Sequence, residues 1–309
     1  WLAAFADAIE PVTGADTSDF LPTLEDSGTI DGNLLGYPMW VNSKILIYRK
    51  DLIPEEKVPK TWEEYQNLAK ELTTEEMTGT TVFGSGSDGV CSFLDFACQA
   101  GAEGLIFDED GNVNITDQAY VDALNFMVEN ANADYTPDDS LSTAATESQE
   151  LFTNGKIAMQ LNWSHQYPAA VEALGEDKVG CAPMIAGDAG IGATTGPWYE
   201  CVMKSSENKE MAQKYVEFMY DHNADYMDLT LKIAGRTSVY EEAAKEPGNE
   251  HTTAVLETLG AEQSQPRPMV STWPQIEEVL TGVVESCLGG ADVEETLETA
   301  KTEIETIGK

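Results

Sequence analysis

The side chains best placed for chemistry in this sequence are aromatic. Four of its six tryptophans, Trp40, Trp163, Trp198 and Trp273, fall where apolar strand-like runs give way to loops. In open α/β sheets, ligands sit beyond the strand ends. An indole offers a flat apolar surface on which the C–H face of a pyranose ring can pack, while the ring hydroxyls seek amide, phenol or charged partners. Asn42, Asn162, Tyr199, Arg236 and Arg267 are the polar candidates that accompany them. Core packing is the competing role for any single tryptophan. Four at junctions favour a shared cleft, whereas Trp62 lies on a helix face and reads as core.

Other chemistries find weaker footing. GSGSDG places Gly84, Gly86 and Gly89 in the spacing of a dinucleotide loop, after an expected strand and before a helix. Asp88 would then sit beside the pyrophosphate, where a positive field is needed. A nicotinamide-dependent enzyme therefore stays only as an alternative. Asp108, Asp110 and Asn112 hint at a calcium loop, but Val113 and Ala119 occupy the places that need Gly and Glu. His165, His222 and His251 have no metal-ligand spacing, and no G-x-S-x-G occurs. A glycosidase carboxylate pair stays open, since acid pairs arise by chance in so acidic a chain. We expect no catalytic residues, no metal and no cofactor.

The elements that must position these groups alternate. Residues 35–48 read as strand, Pro-containing bend and strand. Residues 60–72 form a helix with Thr61 and Glu64 as a capping box, and Trp62, Tyr65, Leu68, Ala69 and Leu72 share its face. A short strand is expected at 80–83, a helix at 90–100, a hairpin at 105–115 around Asp110-Gly111, and a helix from Asp117. Thr146 and Gln149 suggest a second capping box. Strands follow at 156–161, 178–185 and 198–203, with helices at 166–174 and after Asn208. The last third is helical, interrupted by QPRPMVSTWP. Alternating strands and helices define an α/β protein.

The chain has 309 residues, enough for two α/β cores, and no run of eighteen apolar residues. Its formal net charge of −38 repels phosphate backbones and excludes nucleic acid as a partner. Cys91 and Cys98 lie seven apart on an expected helix, too far along the axis for a bridge, and no C-x-x-C occurs.

An ordered set of segments carries a resemblance. DGNLLGYPMWVNSKILIYRKDLI, PKTWEEYQNLAKEL, FDEDGNVNITDQAYVDALNFM, ELFTNGKIAMQLNW, SSENKEMAQKYVEFMYDHNADYMD, IAGRTSVYEEAAK and RPMVSTWPQIEEVL follow one another along the chain. Together they resemble extracellular solute-binding proteins of ABC importers, in the sugar-binding group that includes maltose-binding protein. The resemblance implies a type II periplasmic-binding-protein-like fold, with a ligand cleft between two α/β lobes joined by hinge strands. Residues 1–37 and 197–238 would form the first lobe, and 43–195 and 239–309 the second. Hinges are expected near 37–42, 195–199 and 236–240. Trp163 matches a tryptophan that is often a sugar platform, and Trp273 an aromatic that can face sugar. Trp40 and Trp198 lie on hinge crossings. Leu161-Asn162 replaces the usual Gly-Ser before the platform, and Arg49 replaces the Asn of "YNKD".

By the same resemblance the ligand is a carbohydrate, the partners are the transmembrane subunits of an ABC permease, and the protein is a monomer outside the cell. A polyamine or iron ligand, or a sensor role, are the rival readings within the fold. The family's opening strands precede the point where this sequence starts. The natural protein is therefore expected to extend upstream of Trp1, with a lipid-anchored cysteine in a Gram-positive organism.

Overall fold

The structure is a computed structural model that describes residues 2–21, 24–230 and 233–308. In chain order the elements begin with β1 (Ile9–Glu10), α1 (Leu24–Gly28), β2 (Thr29–Ile30), β3 (Asn33–Leu34), β4 (Tyr37–Val41) and β5 (Lys44–Arg49). Next come α2 (Trp62–Leu72), α3 (Gly86–Ala100), α4 (Gln118–Ala131), α5 (Ala145–Thr153), β6 (Met159–Trp163), α6 (Gln166–Leu174), β7 (Val179–Ala182) and β8 (Thr194–Thr195). The remainder is β9 (Trp198–Glu200), β10 (Val202–Met203), α7 (Lys209–Asp221), α8 (Asn223–Thr230), β11 (Ile233–Ala234), α9 (Thr237–Ala243), α10 (Glu250–Leu259), β12 (Gln265–Pro266), α11 (Trp273–Leu288) and α12 (Val293–Ile307).

Two small sheets organise the rest. In the first, β5 lies between β6 and β7, antiparallel to both. Its sequence KILIYR is apolar almost throughout because both faces are covered. Side chains alternate along a strand. Leu46 and Tyr48 therefore join a core with α2, α3, α4, α11 and α12, while Ile45 and Ile47 join a second core with Phe152, Tyr167, Val179 and Val255. In the second sheet, β4 lies between β9 and β11. Tyr37 pairs with Glu200, Trp40 with Trp198 and Ala234 with Trp40, with an irregularity between Pro38 and Trp40. Chain segments from all three expected hinge regions thus meet in or beside one sheet, only two residues away from the start of β5.

Several local expectations shift. Thr61 accepts from the Glu64 N–H as a cap, but the Glu64 carboxylate turns to the Lys60 N–H. Residues 80–83 form no named strand; Thr80 N–H donates to the Tyr135 carbonyl. The 105–115 hairpin reduces to one bridge, Phe107 with Val113, because Asp108 ties off the turn by accepting from Asn112. A tighter Asp-Gly hairpin joins β2 to β3, with Asp31 and Gly32 both at positive φ. The second capping contact falls two residues earlier than expected, from Ala144 N–H to the Glu147 carboxylate. Strand β6 starts late because Lys156 N–H still closes the end of α5 on Leu151. The first residues form a 3-10 helix over Ala3–Ala8, and Trp1 lies outside the described residues. All five cysteines are free.

Candidate ligand-binding site

Strand alternation sorts the candidate residues. Trp163 ends β6 opposite Lys44, the first residue of β5, so both point to the α3 side of the sheet. The Lys44 ammonium lies 5.0 Å from the Trp163 ring centroid and 5.4 Å from that of Phe83. It is almost fully buried, and donates to Ser92 Oγ at 2.9 Å and to Asp95 Oδ2 at 3.2 Å. The Trp163 Nε1–H donates to Asp88 Oδ1 at 2.8 Å. Asp88 sits in the first turn of α3, where the helix dipole favours a negative charge, and its other oxygen accepts from Ala145 N–H. The indole is therefore fixed along its polar edge and beside a cation. Its N–H is already used, and what it offers a ligand is aromatic surface.

The second aromatic group stands on the β11–β4–β9 sheet. Trp40 and Trp198 are register partners across β4 and β9, and their rings stack at 5.7 Å with 29° between planes. Trp198 is 61% exposed and Trp40 half-buried. Between these strands and the platform lies Asn42. Its Oδ1 accepts from Ser164 Oγ at 2.9 Å, and its Nδ2 donates to His165 Nδ1 at 2.9 Å, which leaves the ring proton of a neutral His165 on Nε2. Asn42, Ser164 and His165 thus join the turn after β4 to the turn after β6.

Arg267 is half-buried just after β12. One Nη contacts Cys91 Sγ at 3.5 Å, and its guanidinium covers Gly196, where a Cβ would collide with it. Burial pushes the Cys91 thiol up, against the lowering effect of Arg267 and then Lys44, so it remains a neutral thiol.

Four expected ligand contacts are placed elsewhere. Asn162 is fully buried on the opposite face of β6 from Trp163. Its amide donates to Ala145 O and Gln160 Oε1, and its oxygen accepts from Trp163 N–H, so it is structural. Trp273 opens α11 with 3% exposure and packs in the core beside Ile276 and Leu280. Tyr199 faces away from Trp198 along β9, and its hydroxyl donates to Leu24 O and meets Ser27 Oγ. Burial holds that phenol well above its ordinary pKa. Arg236 is occupied by Asp19 at 2.8 Å and by the Tyr220 ring at 5.1 Å. The GSGSDG stretch supplies the start of α3, and its acid binds the platform tryptophan.

Lys44, Asp88, Asp95 and His165 were missed from the sequence. The available signal was a lone lysine in VNSKILIY and a lone acid in SFLDFACQ, each charged in a run otherwise destined for burial. Among the described residues no group of His, Cys, Asp and Glu is arranged to hold a metal, and no helix is long and apolar enough to cross a membrane.

The two three-stranded sheets with helices packed around them are the fold of type II periplasmic binding proteins. Residues 1–255 match the family model described as bacterial extracellular solute-binding protein, and the chain belongs to that family. A protein of Deinococcus radiodurans named "Probable ABC transporter-binding protein" is 25% identical over 69% of this chain and 53% of its own length. The maltodextrin-binding protein MdxE of Bacillus subtilis is 25% identical over 82% of this chain and 61% of its own. The chain thus spans just over half the length of these two relatives. The maltose-bound structure of T. maritima MalE3 superposes with a TM-score of 0.87 at 27% identity, covering 99% of this chain and 82% of that one. Family and structural neighbour alike are binding proteins.

Proposed function

We propose that this chain captures a neutral carbohydrate, an oligosaccharide, and hands it to the transmembrane subunits of an ABC importer. The observation that carries this reading is the set of three indoles at one end of the β5 sheet: Trp163 held by Asp88 and Lys44, and Trp40 stacked on Trp198. Asn42, Arg267 and His165 supply polar partners for hydroxyls. The bound maltose of one structural neighbour and the maltodextrin named for one relative support the same class.

In this reading the lobes are 1–37 with 197–238, and 43–195 with 239–309, and the hinges run through or beside β4, β9 and β11. The work done is capture coupled to closure. The protein acts as a monomer outside the cell, tethered by lipid in a Gram-positive source.

A thermal-shift screen with maltose, maltotriose and longer maltodextrins, followed by calorimetric titration, tests the proposal, because a bound ligand stabilises by mass action. Affinity should be nearly the same at low and high salt. A collapse at high salt would mean an anionic or cationic ligand and overturn the neutral sugar. Small-angle scattering should show a smaller radius of gyration with saturating ligand; an unchanged radius would rule out closure.

A further inference from the structure

The chain leading into the hinge sheet is gripped by two side chains of α3. Asp95 Oδ1 accepts both the backbone N–H of Thr194 at 2.7 Å and its hydroxyl at 2.9 Å. One turn later, Gln99 Nε2 donates to the carbonyl of Gly192 at 2.9 Å, and its own oxygen accepts from Trp62 Nε1 at 2.6 Å. The geometry is commensurate. Four residues of helix advance about 6 Å, and two residues of extended chain advance about 6.6 Å. Residues 95 and 99 can therefore hold residues 194 and 192 together. Asp95, Gln99 and Thr194 are all at most 2% exposed.

Along this edge the side chains replace a neighbouring strand. The ladder partner of β8 is β12, where Gln265 N–H donates to Ala193 O. Asp95 serves both ends of the site at once. Its Oδ1 holds the segment that becomes the hinge, and its Oδ2 accepts from the Lys44 ammonium lying against Trp163. Only Gly196 and Pro197 separate β8 from Trp198.

We propose that Asp95 and Gln99 are positioning residues that fix where the hinge strand leaves the platform, and so set Trp198 relative to Trp163 without touching ligand. The proposal rests on reading β4, β9 and β11 as the hinge. Its consequence is that ligand affinity depends on two side chains buried behind the platform.

The test compares two double variants that share the loss of the ion pair. In Lys44→Met with Asp95→Asn, the amide oxygen still accepts from Thr194. In Lys44→Met with Asp95→Leu, it cannot. Amide hydrogen exchange, read well below the melting temperature and without ligand, should show faster exchange in β8 and also in β4 and β9 for the leucine variant. The asparagine variant should keep the parent's protection there. Faster exchange confined to 192–195, with β4 and β9 unchanged, would make the grip merely local and overturn the proposal. Titration with maltotriose should show about tenfold weaker binding for the leucine variant, which loses both Thr194 hydrogen bonds, than for the asparagine variant. Equal affinities would also overturn it. If the parent binds none of the maltodextrins, the sugar reading loses its support, while the exchange result still decides the role of Asp95.

Discussion

The two faces of the β6–β5–β7 sheet bury ionisable side chains by opposite means. On the α3 face Lys44 stays paired, with Asp95, Ser92 and two aromatic rings around its ammonium. On the other face His251 of α10 is 5% exposed and stacks on Tyr167 at 5.4 Å, and its Nδ1 has no partner. Burial drives that imidazole down to about 4, against the raising effect of Glu250. One face keeps a charge by surrounding it; the other keeps a ring by leaving it neutral. The polar network lies behind the Trp163 indole and fixes its orientation, and the neutral ring lies in packing that asks only for shape.

The largest effect should come from breaking the paired face. Asp95→Ala leaves Lys44 buried without its carboxylate and should cost about 3–5 kcal/mol in urea unfolding. A loss below about 1 kcal/mol would show that the pair is not the mainstay of that face. Next is acid. His251 binds protons in the unfolded chain near its ordinary pKa of 6.5 but in the folded chain only near 4. Its contribution is whole above pH 6.5, is lost as pH falls from about 6.5 to about 4, and changes no further below that. The loss is on the order of 3 kcal/mol. His251→Phe should flatten stability over this window relative to the parent; parallel pH curves for the two proteins would refute the neutral ring.

Smaller effects separate Trp163 from Trp198. Trp163→Phe keeps an aromatic face beside Lys44 but loses the N–H donated to Asp88, a charge-assisted bond whose removal should cost about 2 kcal/mol of stability. Trp198→Ala removes an exposed ring and should stay within about 0.5 kcal/mol in unfolding, while maltotriose binding weakens about tenfold. If Trp198→Ala destabilised the fold as much as Trp163→Phe, the contrast between a fixed platform and an open pair would fall.

The order of elements was legible because the chain's periodicities are local. The apolar run of β5, the Thr61 cap and the α2 face each follow from a few neighbouring residues. The site was legible in part. Trp40, Trp163 and Trp198 could be singled out as junction aromatics, yet Trp273 satisfies the same description and is core. What separates them is which tertiary surface covers the ring, and that depends on α3, α11 and α12 arriving from distant sequence. Asn162 beside Trp163 was misplaced although the period-two rule alone sends the two to opposite faces. Lys44 and Asp95 were invisible as a pair because 51 residues separate them.

Strand β5 is a wall shared by two cores, and that sharing has a consequence for how the molecule comes apart. Leu46 and Tyr48 belong to one cluster, Ile45 and Ile47 to the other, and the second cluster runs on without a break to Tyr37 at the start of β4, Val202 and Tyr220. Neither core can melt while the other keeps its wall, so heat should take them together. A calorimetric scan should show a single peak whose van't Hoff and calorimetric enthalpies agree. Two resolved peaks would mean that the wall yields on one side first.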